Sequence, residues 1–203
     1  MLARKLRKPT KNFVNSIGKL IAKTNLSPNF FSLLSIIFAF ITVYFIIKDS
    51  YLIAALFLFL TSLLDAIDGA VARASKKTTL FGNYFDAVID RVVEIIIYLG
   101  FALSGFALEA FLALSGGLLL SYVKPRTALV VKIDNRDWPG IGDKADKIFI
   151  LVVGLIAANF FPLIYNISTI SLLLIFITIV TYIGSLQRIL YAKKLIKSVS
   201  KKT

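Results

Sequence analysis

The sequence of 203 residues contains no cysteine and no histidine. Without cysteine the chain has no disulfide framework and no thiol nucleophile. Without histidine it lacks the commonest general base and proton shuttle, and the two absences together remove the usual ligands of zinc. Any chemistry must therefore use carboxylates, cations and hydroxyl groups.

Charged residues are also few. They make up 17% of the chain, whereas hydrophobic residues make up 58%. A soluble domain of this length needs more polar surface, and several apolar runs approach the roughly 20 residues that cross a bilayer. We therefore predict an all-α integral membrane protein with one membrane domain over residues 1–203. Its six transmembrane helices are predicted at 30–48, 51–74, 81–106, 108–131, 145–166 and 168–191.

The N-terminal segment is basic and lacks the apolar stretch and cleavage site of a signal peptide. Basic and apolar residues alternate there at helical spacing. This pattern predicts an amphipathic helix over residues 1–24 that lies in the membrane interface.

Positive charge is concentrated in particular segments. The chain has 24 Lys and Arg against 11 Asp and Glu, a net charge of +13. Basic residues precede the first predicted span, follow the last one and occupy the connections 75–80 and 124–147. Because positive charge in short loops marks the cytoplasmic face, both termini and these connections are predicted to be cytoplasmic. The charge is expected to attract anionic lipid headgroups, and no nucleic-acid partner is expected because no such binding motif accompanies it.

Several carboxylates lie in or beside the apolar runs: Asp65, Asp68, Asp86, Asp90 and Glu94. A carboxylate at membrane depth costs several kcal/mol unless it is paired, hydrated or bound to metal. The first two aspartates are spaced i, i+3 and the next two i, i+4, so each pair shares one helix face. The short connection between the two helices predicts antiparallel neighbours whose carboxylates meet at the cytoplasmic end.

Small residues and an arginine accompany these carboxylates. An all-oxygen cluster suits Mg²⁺ or Mn²⁺, while Gly69, Ala72 and Gly82 leave room for a ligand near the backbone. Arg73 is placed to contact phosphate or to pair with a carboxylate. Together these features predict a pyrophosphate site. The alternative is a polar helix–helix seam held by Asp–Arg pairs that involve Arg73 and Arg91.

The same residues form a recognisable motif. Asp65-Ala-Ile-Asp68-Gly69-Ala-Val-Ala72-Arg73 and, eight residues later, Gly82-Asn-Tyr-Phe-Asp86-Ala-Val-Ile-Asp90 resembles the signature of the CDP-alcohol phosphotransferase family. All eight defining positions agree in residue type and spacing. The resemblance implies a membrane enzyme with six transmembrane helices, a cytoplasmic active site and a homodimeric assembly. It also implies a place in phospholipid biosynthesis, with a CDP-linked lipid as the donor substrate.

The resemblance assigns roles to individual residues. Asp65, Asp68, Asp86 and Asp90 would surround a divalent metal site, Mg²⁺ or Mn²⁺, that holds two ions, and Asp90 would also be the general base. The CDP group would lie beside Asp68, Gly69, Ala72, Arg73 and Gly82. Asn29 resembles a recurrent Pro-Asn entry to the first span, and the alternative interpretation is a simple helix N-cap. The implied reaction is attack of an acceptor hydroxyl on the lipid-side phosphorus with release of CMP.

A second group of residues predicts the identity of the acceptor alcohol. Lys124, Arg126, Lys144 and Arg188 are predicted at cytoplasmic helix ends and resemble the phosphate-binding cations of the inositol-phosphate branch of the family, although that branch has arginine where Lys144 stands. They predict a phosphorylated polyol, inositol phosphate, as the acceptor. Glycerol phosphate would satisfy the same cations, whereas serine and free inositol would suit them less. The positive-inside rule alone is the alternative explanation for these cations.

Two other classes of function were open from the sequence. Intramembrane carboxylates also mark the pathways of ion-coupled transporters, but the chain shows neither an inverted repeat nor helices broken by Gly or Pro at mid-membrane. A structural scaffold without chemistry would leave the eight-position motif unexplained.

Overall fold

The protein is described from a computed structural model, which covers residues 14–22, 28–75, 78–133 and 138–200, without the side chains of residues 28 and 29. These ranges are almost entirely helical. A short N-terminal helical segment covers residues 14–22. It is followed by six long helices: α1 (Pro28–Ile47), α2 (Tyr51–Ala74), α3 (Leu80–Leu103), α4 (Ala107–Ala128), α5 (Lys144–Phe160) and α6 (Thr169–Ser200). Strands β1 (Leu163–Ile164) and β2 (Ile167–Ser168) form an antiparallel pair between α5 and α6.

The helix boundaries differ from the predicted spans where backbone geometry intervenes. Helix α3 ends at Leu103 and not at 106, because Gly105 has a φ of +96° that cannot continue a helix. Helix α5 ends at Phe160 and not at 166, because the chain turns through the β1–β2 hairpin, with positive φ at Tyr165 and Asn166. Helix α6 continues past 191 to Ser200, since the basic tail remains helical beyond the apolar run.

Four of the helices are long and apolar enough to cross a membrane: residues Phe30–Ile47 of α1, and helices α2, α4 and α6. Helix α3 has sufficient length but carries the charged residues of the motif, Asp86, Asp90, Arg91 and Glu94. Helix α5 has only 17 residues and begins with charged side chains. The all-helical membrane class is therefore confirmed, and the count of six spans stays a prediction.

The six long helices pack as a closed ring. Among the described residues, the main packing contacts run from α1 to α2, α2 to α5, α5 to α6, α6 to α4, α4 to α3, and α3 back to α1. Helices α2 and α3 were expected to be direct neighbours. Among the described residues, α1 instead lies between them on one side of the ring, and α5, α6 and α4 lie between them on the other. They face each other across the interior of the ring. A short connection can bring two helix ends together without packing the helices along their lengths.

Apolar side chains fill the ring and also cover its outside. The fully buried core contains Leu58, Phe101, Leu120, Leu155 and Leu174. Large apolar side chains are equally common on the outer surface, and those exposed include Phe40, Phe59, Phe111, Phe149 and Phe176. An exposed apolar surface of this extent is unfavourable in water and fits a bundle surrounded by lipid.

The N-terminal helical segment packs on the bundle. Its apolar face, Ile17 and Ile21, contacts a small cluster formed by Phe31, Ile67 and Val71. A side-chain carbon at Gly18 would lie 2.6 Å from Cβ of Ala70, so glycine permits the close approach to α2. Residues 1–13 and 23–24 of the predicted interfacial helix lie outside the described residues, and the interfacial location stays a prediction.

Candidate active site

Three carboxylates converge at one end of the bundle. Asp65 and Asp68 lie near the C-terminal end of α2, and Asp86 lies near the start of α3. One carboxylate oxygen from each residue lies within 4.8 Å of the other two. The faces predicted from the i, i+3 and i, i+4 spacings therefore do meet, at helix ends that bring a polar cluster close to the edge of the apolar bundle.

Asp68 is the most buried of the three and depends on α1 for a hydrogen bond. Its carboxylate is only 5% exposed, and the Ser32 hydroxyl donates to its Oδ2 over 2.7 Å. The Ser35 hydroxyl donates to the backbone carbonyl of Ser32 over 2.6 Å. Sequence reasoning missed Ser32. Its only signal is a hydroxyl one helical turn inside an otherwise apolar run, which many transmembrane helices also contain.

The triad of Asp65, Asp68 and Asp86 fits a hard divalent cation. Its ligand atoms are all carboxylate oxygens, and the chain has no His or Cys to favour zinc. Burial makes three adjacent anions unfavourable unless a cation neutralises them. Mg²⁺ and Mn²⁺ satisfy this requirement, and the residues present fit the predicted metal.

Asp90 lies beside the triad and is held by cations of the chain. Lys144 donates to Asp90 Oδ1, and its Nζ also lies 2.5 Å from Asp65 Oδ2. Arg91 Nη2 lies 3.7 Å from Asp90 Oδ2. Lys144 was predicted to hold the acceptor phosphate, and the structure places its ammonium between two aspartates of the motif.

A second polar cluster lies next to Asp90. Arg91 donates to Glu94 Oε2 over 2.7 Å and to the Ser121 hydroxyl over 2.6 Å. Glu94 also pairs with Lys147, which is only 5% exposed. These contacts tie α3 to α4 and α5. Arg91 also lies 3.7 Å from Asp90, but no arginine forms an ion pair with Asp65, Asp68 or Asp86 among the described residues, so a simple Asp–Arg seam does not describe the triad.

Four of the residues predicted to contact CDP, Gly69, Ala72, Arg73 and Gly82, lie on the same two helices as the triad and are partly or fully exposed. Arg73 is exposed, with its guanidinium over Gly69, where an added side-chain carbon would be 3.2 Å from Nη1. Ala72 lies beside it on α2. The backbone N–H of Gly82 donates to the Thr79 hydroxyl over 2.9 Å, which caps the first turn of α3. The backbone of Asn29 lies in the first turn of α1, and its side chain is outside the described residues.

A cavity extends from the carboxylates into the bundle. Its lining includes Asp65, Asp90, Arg91, Glu94 and Lys144 at the polar end and Leu58, Ile97, Tyr98 and Leu151 at the apolar end. The cavity lies between α1, α2, α3 and α5, which is the space that separates the two motif helices. The charged lining lies beside the carboxylates, and the apolar lining lies about two helical turns further along α2, α3 and α5.

The other predicted acceptor cations lie further around the same end. Arg188 of α6 is 8% exposed; it donates to the carbonyls of Leu120 and Pro139 and pairs with Asp143. Lys124 is partly exposed and Arg126 is exposed, both in the last turns of α4. Arg188 is thus fixed by the protein, whereas the two α4 cations have a more open setting.

The fold and site together define a membrane-embedded transferase with a carboxylate metal site. The family model of CDP-alcohol phosphatidyltransferases matches residues 25–182, and the chain belongs to this family. Membership confirms the predicted class, a phospholipid-biosynthetic transferase, in place of an ion-coupled transporter or a scaffold. The model match covers the motif and all helices up to the first half of α6.

Curated relatives extend the similarity to nearly the full chain. Archaetidylinositol phosphate synthase of Pyrococcus horikoshii is 29% identical, over 94% of this chain and 96% of its own. Phosphatidylinositol phosphate synthase of Corynebacterium glutamicum is 28% identical, over 73% and 71%.

Solved structures show the same fold. Phosphatidylinositol phosphate synthase of Mycobacterium tuberculosis with CDP-DAG bound superposes with a TM-score of 0.74 at 18% identity, covering 89% of this chain and 94% of that one. The same enzyme in complex with manganese and citrate gives a TM-score of 0.73, with 88% of each chain covered.

Proposed function

We propose that the protein transfers the phospholipid group of a CDP-linked lipid to a hydroxyl of inositol phosphate, with release of CMP. The observation that carries this proposal is the convergence of Asp65, Asp68 and Asp86 within 4.8 Å, with Asp90 bridged to Asp65 by Lys144. Such a carboxylate cluster suits the divalent cations that a pyrophosphate group needs.

Different residues of the site have different roles in the proposed reaction. The aspartates hold two Mg²⁺ or Mn²⁺ ions, which supply charge neutralisation at the pyrophosphate when bound. Arg73 and the small residues Gly69 and Ala72 border the CDP group, because they form an open surface with one exposed guanidinium next to the triad. Asp90 accepts the proton of the attacking hydroxyl, because its carboxylate lies beside the triad, where Lys144 bridges it to Asp65.

The identity of the acceptor is inferred from basic residues that ion pairs and short helical spacings link to one another and to Asp90. Arg188 pairs with Asp143, which directly precedes Lys144, and Lys144 contacts Asp90. Lys124 lies one helical turn beyond Leu120, the residue whose carbonyl receives Arg188. A phosphate near these side chains would hold a polyol hydroxyl close to Asp90. The names of the relatives from Pyrococcus and Corynebacterium favour inositol phosphate over glycerol phosphate.

The proposal includes the placement of the protein. All six long helices cross the cell membrane, the carboxylate end faces the cytoplasm, and the amphipathic N-terminal helix lies in that interface. The protein works as a homodimer. Support comes from the basic segments at the carboxylate end of the bundle and from the ring in which α3 and α5 are full members.

A CMP-release assay tests the function. Purified protein with Mn²⁺ and a CDP-linked lipid, diether or diacyl, should release CMP with inositol phosphate and much less with glycerol phosphate, free inositol or serine. Chelator should abolish release. Asp90→Asn should lower turnover by about 10² to 10⁴-fold, because general-base assistance contributes an effect of that size.

Three results would each contradict a part of the proposal. Near-normal turnover of Asp90→Asn would remove Asp90 as the base. Release at equal rates with glycerol phosphate and inositol phosphate, or an unchanged KM for inositol phosphate in Lys124→Ala and Arg126→Ala, would remove the assigned acceptor pocket while leaving the reaction class in place.

A further inference from the structure

Lys144 occupies a position that a simple acceptor-binding residue would not. It is the first residue of α5, and its ammonium pairs with Asp65 of α2 and Asp90 of α3. Both carboxylates belong to the motif, and both side chains are largely shielded, 28% and 18% exposed. Lys144 is therefore the cation that joins the two motif helices across the interior of the ring.

The carboxylate oxygens of Asp65 and Asp90 that contact Lys144 could also bind a divalent ion. Asp65 belongs to the triad that fits one divalent ion, and Asp90, which lies outside the triad, shares the Lys144 ammonium with Asp65. A second ion shared by Asp65 and Asp90 would need the oxygens that the ammonium now contacts. Like-charged cations cannot share that space, because their repulsion in a poorly solvated site is strong.

The neighbouring cations do not bridge the two motif helices in this way. Lys147 pairs with Glu94 and Arg188 with Asp143, while Arg91 pairs with Glu94, donates to Ser121 and lies 3.7 Å from one oxygen of Asp90. None of these three cations pairs with a carboxylate of the triad among the described residues. Lys144 alone among the described residues contacts a carboxylate of the triad in an ion pair. Its flexible four-carbon stem also lets the ammonium leave without moving α5.

We propose that Lys144 is a built-in competitor of the second divalent ion: it neutralises Asp65 and Asp90 when that ion is absent, and it must be displaced for the ion to bind. The inference rests on the proposed metal-dependent function. Loading of the second ion then frees the ammonium, next to Asp143 and Arg188, to pair with the phosphate of the acceptor. The first ion, at the triad, does not require this displacement.

Direct Mn²⁺ binding tests the competition without any turnover. Purified wild-type protein and Lys144→Gln are titrated with Mn²⁺, and free Mn²⁺ is followed by electron paramagnetic resonance. We expect the weaker of two sites to tighten by at least about tenfold in Lys144→Gln, the size of effect that one neighbouring charge has on an ionisable group. Lys132→Gln, which removes an exposed charge from the α4–α5 connection, should bind like wild type.

Chemical rescue keeps the test independent of folding differences between variants. The chain has no cysteine, so Lys144→Cys can be aminoethylated at one position to restore an ammonium. The unmodified variant should bind the second Mn²⁺ more tightly, and aminoethylation should return the affinity to the wild-type value. In chelator, the unmodified variant should also melt at a lower temperature than the aminoethylated one, because two carboxylates lose their partner.

The outcomes separate the two proposals. A second-site affinity that is unchanged or weaker in Lys144→Gln, or insensitive to aminoethylation of Lys144→Cys, overturns the competition and leaves the enzymatic function untouched. If wild type and every variant fail to bind Mn²⁺, the metal-dependent function itself is refuted.

Discussion

Asp68 illustrates how a carboxyl group is accommodated inside a largely apolar bundle. Its carboxylate is almost fully buried, and the protein supplies a hydroxyl from α1 to one of its oxygens. A buried carboxylate without partners would cost several kcal/mol. The Ser32 hydrogen bond therefore lowers this cost and restrains the orientation of the Asp68 carboxyl group.

Removal of this hydroxyl should weaken metal binding more than it weakens folding. Hydrogen bonds to metal ligands orient them, and their loss typically lowers metal affinity by about 10 to 100-fold. We expect Ser32→Ala to raise the Kd for Mn²⁺ by about tenfold in a direct titration, with a small change in melting temperature. Ser32→Thr, which retains a hydroxyl, should recover most of the affinity.

Ser35 provides the matched control. It lies one turn away on the same helix, and its hydroxyl bonds only to the backbone carbonyl of Ser32 in the described contacts. Ser35→Ala should therefore leave the Kd for Mn²⁺ close to wild type. An equal loss of affinity in both variants would mean that packing of α1, and not the bond to Asp68, controls the site.

The site residues that could be predicted from the sequence are those whose charge is energetically unfavourable in an apolar helix. Aspartates in apolar helices require an explanation, and their spacing predicted the faces that meet at Asp65, Asp68 and Asp86. Ser32 could not be predicted, because a hydroxyl in a transmembrane helix usually bonds to its own backbone and has no cost. The ion pairs of Lys144 could not be predicted either, since they depend on where α5 begins within the ring.

At the level of helices, the short connection between α2 and α3 led to the wrong prediction that these two helices pack directly against each other. A short connection brings helix ends together but does not determine which helices pack along their length. Here α1 packs on both motif helices and α5 packs on α2, so a cavity remains where direct contact was expected. That separation is useful, because helices in direct contact would leave no room for a pyrophosphate between their carboxylates.

The connection from Trp138 to Asp143 is positioned by a close crossing over α6. The carbonyl oxygen of Ile141 approaches Gly184 so closely that any side chain there would collide with it. Gly140 and Gly142 adopt positive φ, +132° and +84°, as the connection bends over the helix. This path delivers Asp143 to Arg188 and sets the start of α5, and with it the position of Lys144.

Gly184→Ala should consequently destabilise the protein. In a helix interior this change normally stabilises by roughly 0.5–1 kcal/mol, but here the added carbon must push the connection outward. Overpacking of this kind typically costs about 1–3 kcal/mol, so we expect a lower melting temperature in detergent and a higher KM for the phosphorylated acceptor as Arg188 and Lys144 shift.

Gly69→Ala is the control variant for the direction of the change in melting temperature. The added carbon there meets only the end of the flexible Arg73 side chain, so the melting temperature should stay constant or rise. A higher melting temperature in Gly184→Ala would show that the connection yields easily, and that the crossing does not position α5.

At the scale of the whole molecule, the positions of the charged residues within the ring of helices bear on the membrane topology. The carboxylate cluster, the start of α5 and the end of α4 are joined by side-chain contacts at one end of the bundle, and the basic connections lie at that same end. Hydropathy alone identifies α1, α2, α4 and α6 as spans. Helix α3 fails this criterion because of its charged residues, and helix α5 because it has only 17 residues.

The number of spans can be decided by two exposed positions. Lys132 lies after α4, and Tyr165, 96% exposed, lies in the turn between β1 and β2. If all six helices cross, these residues are on opposite sides, since α5 separates them. If only the four most apolar helices cross, both residues follow α4 and precede α6, and they share one side.

Because the natural chain has no cysteine, single cysteines report on sidedness without background. In intact cells treated with a membrane-impermeant maleimide, Tyr165→Cys should be labelled at once, as should Lys48→Cys in the α1–α2 connection. Lys132→Cys should react only after the membrane is permeabilised, because the positive-inside rule places its connection with the cytoplasmic carboxylate end. Equal labelling of Lys132→Cys and Tyr165→Cys in intact cells would instead mean that α5 does not cross the membrane, and the ring of six spanning helices would have to be abandoned.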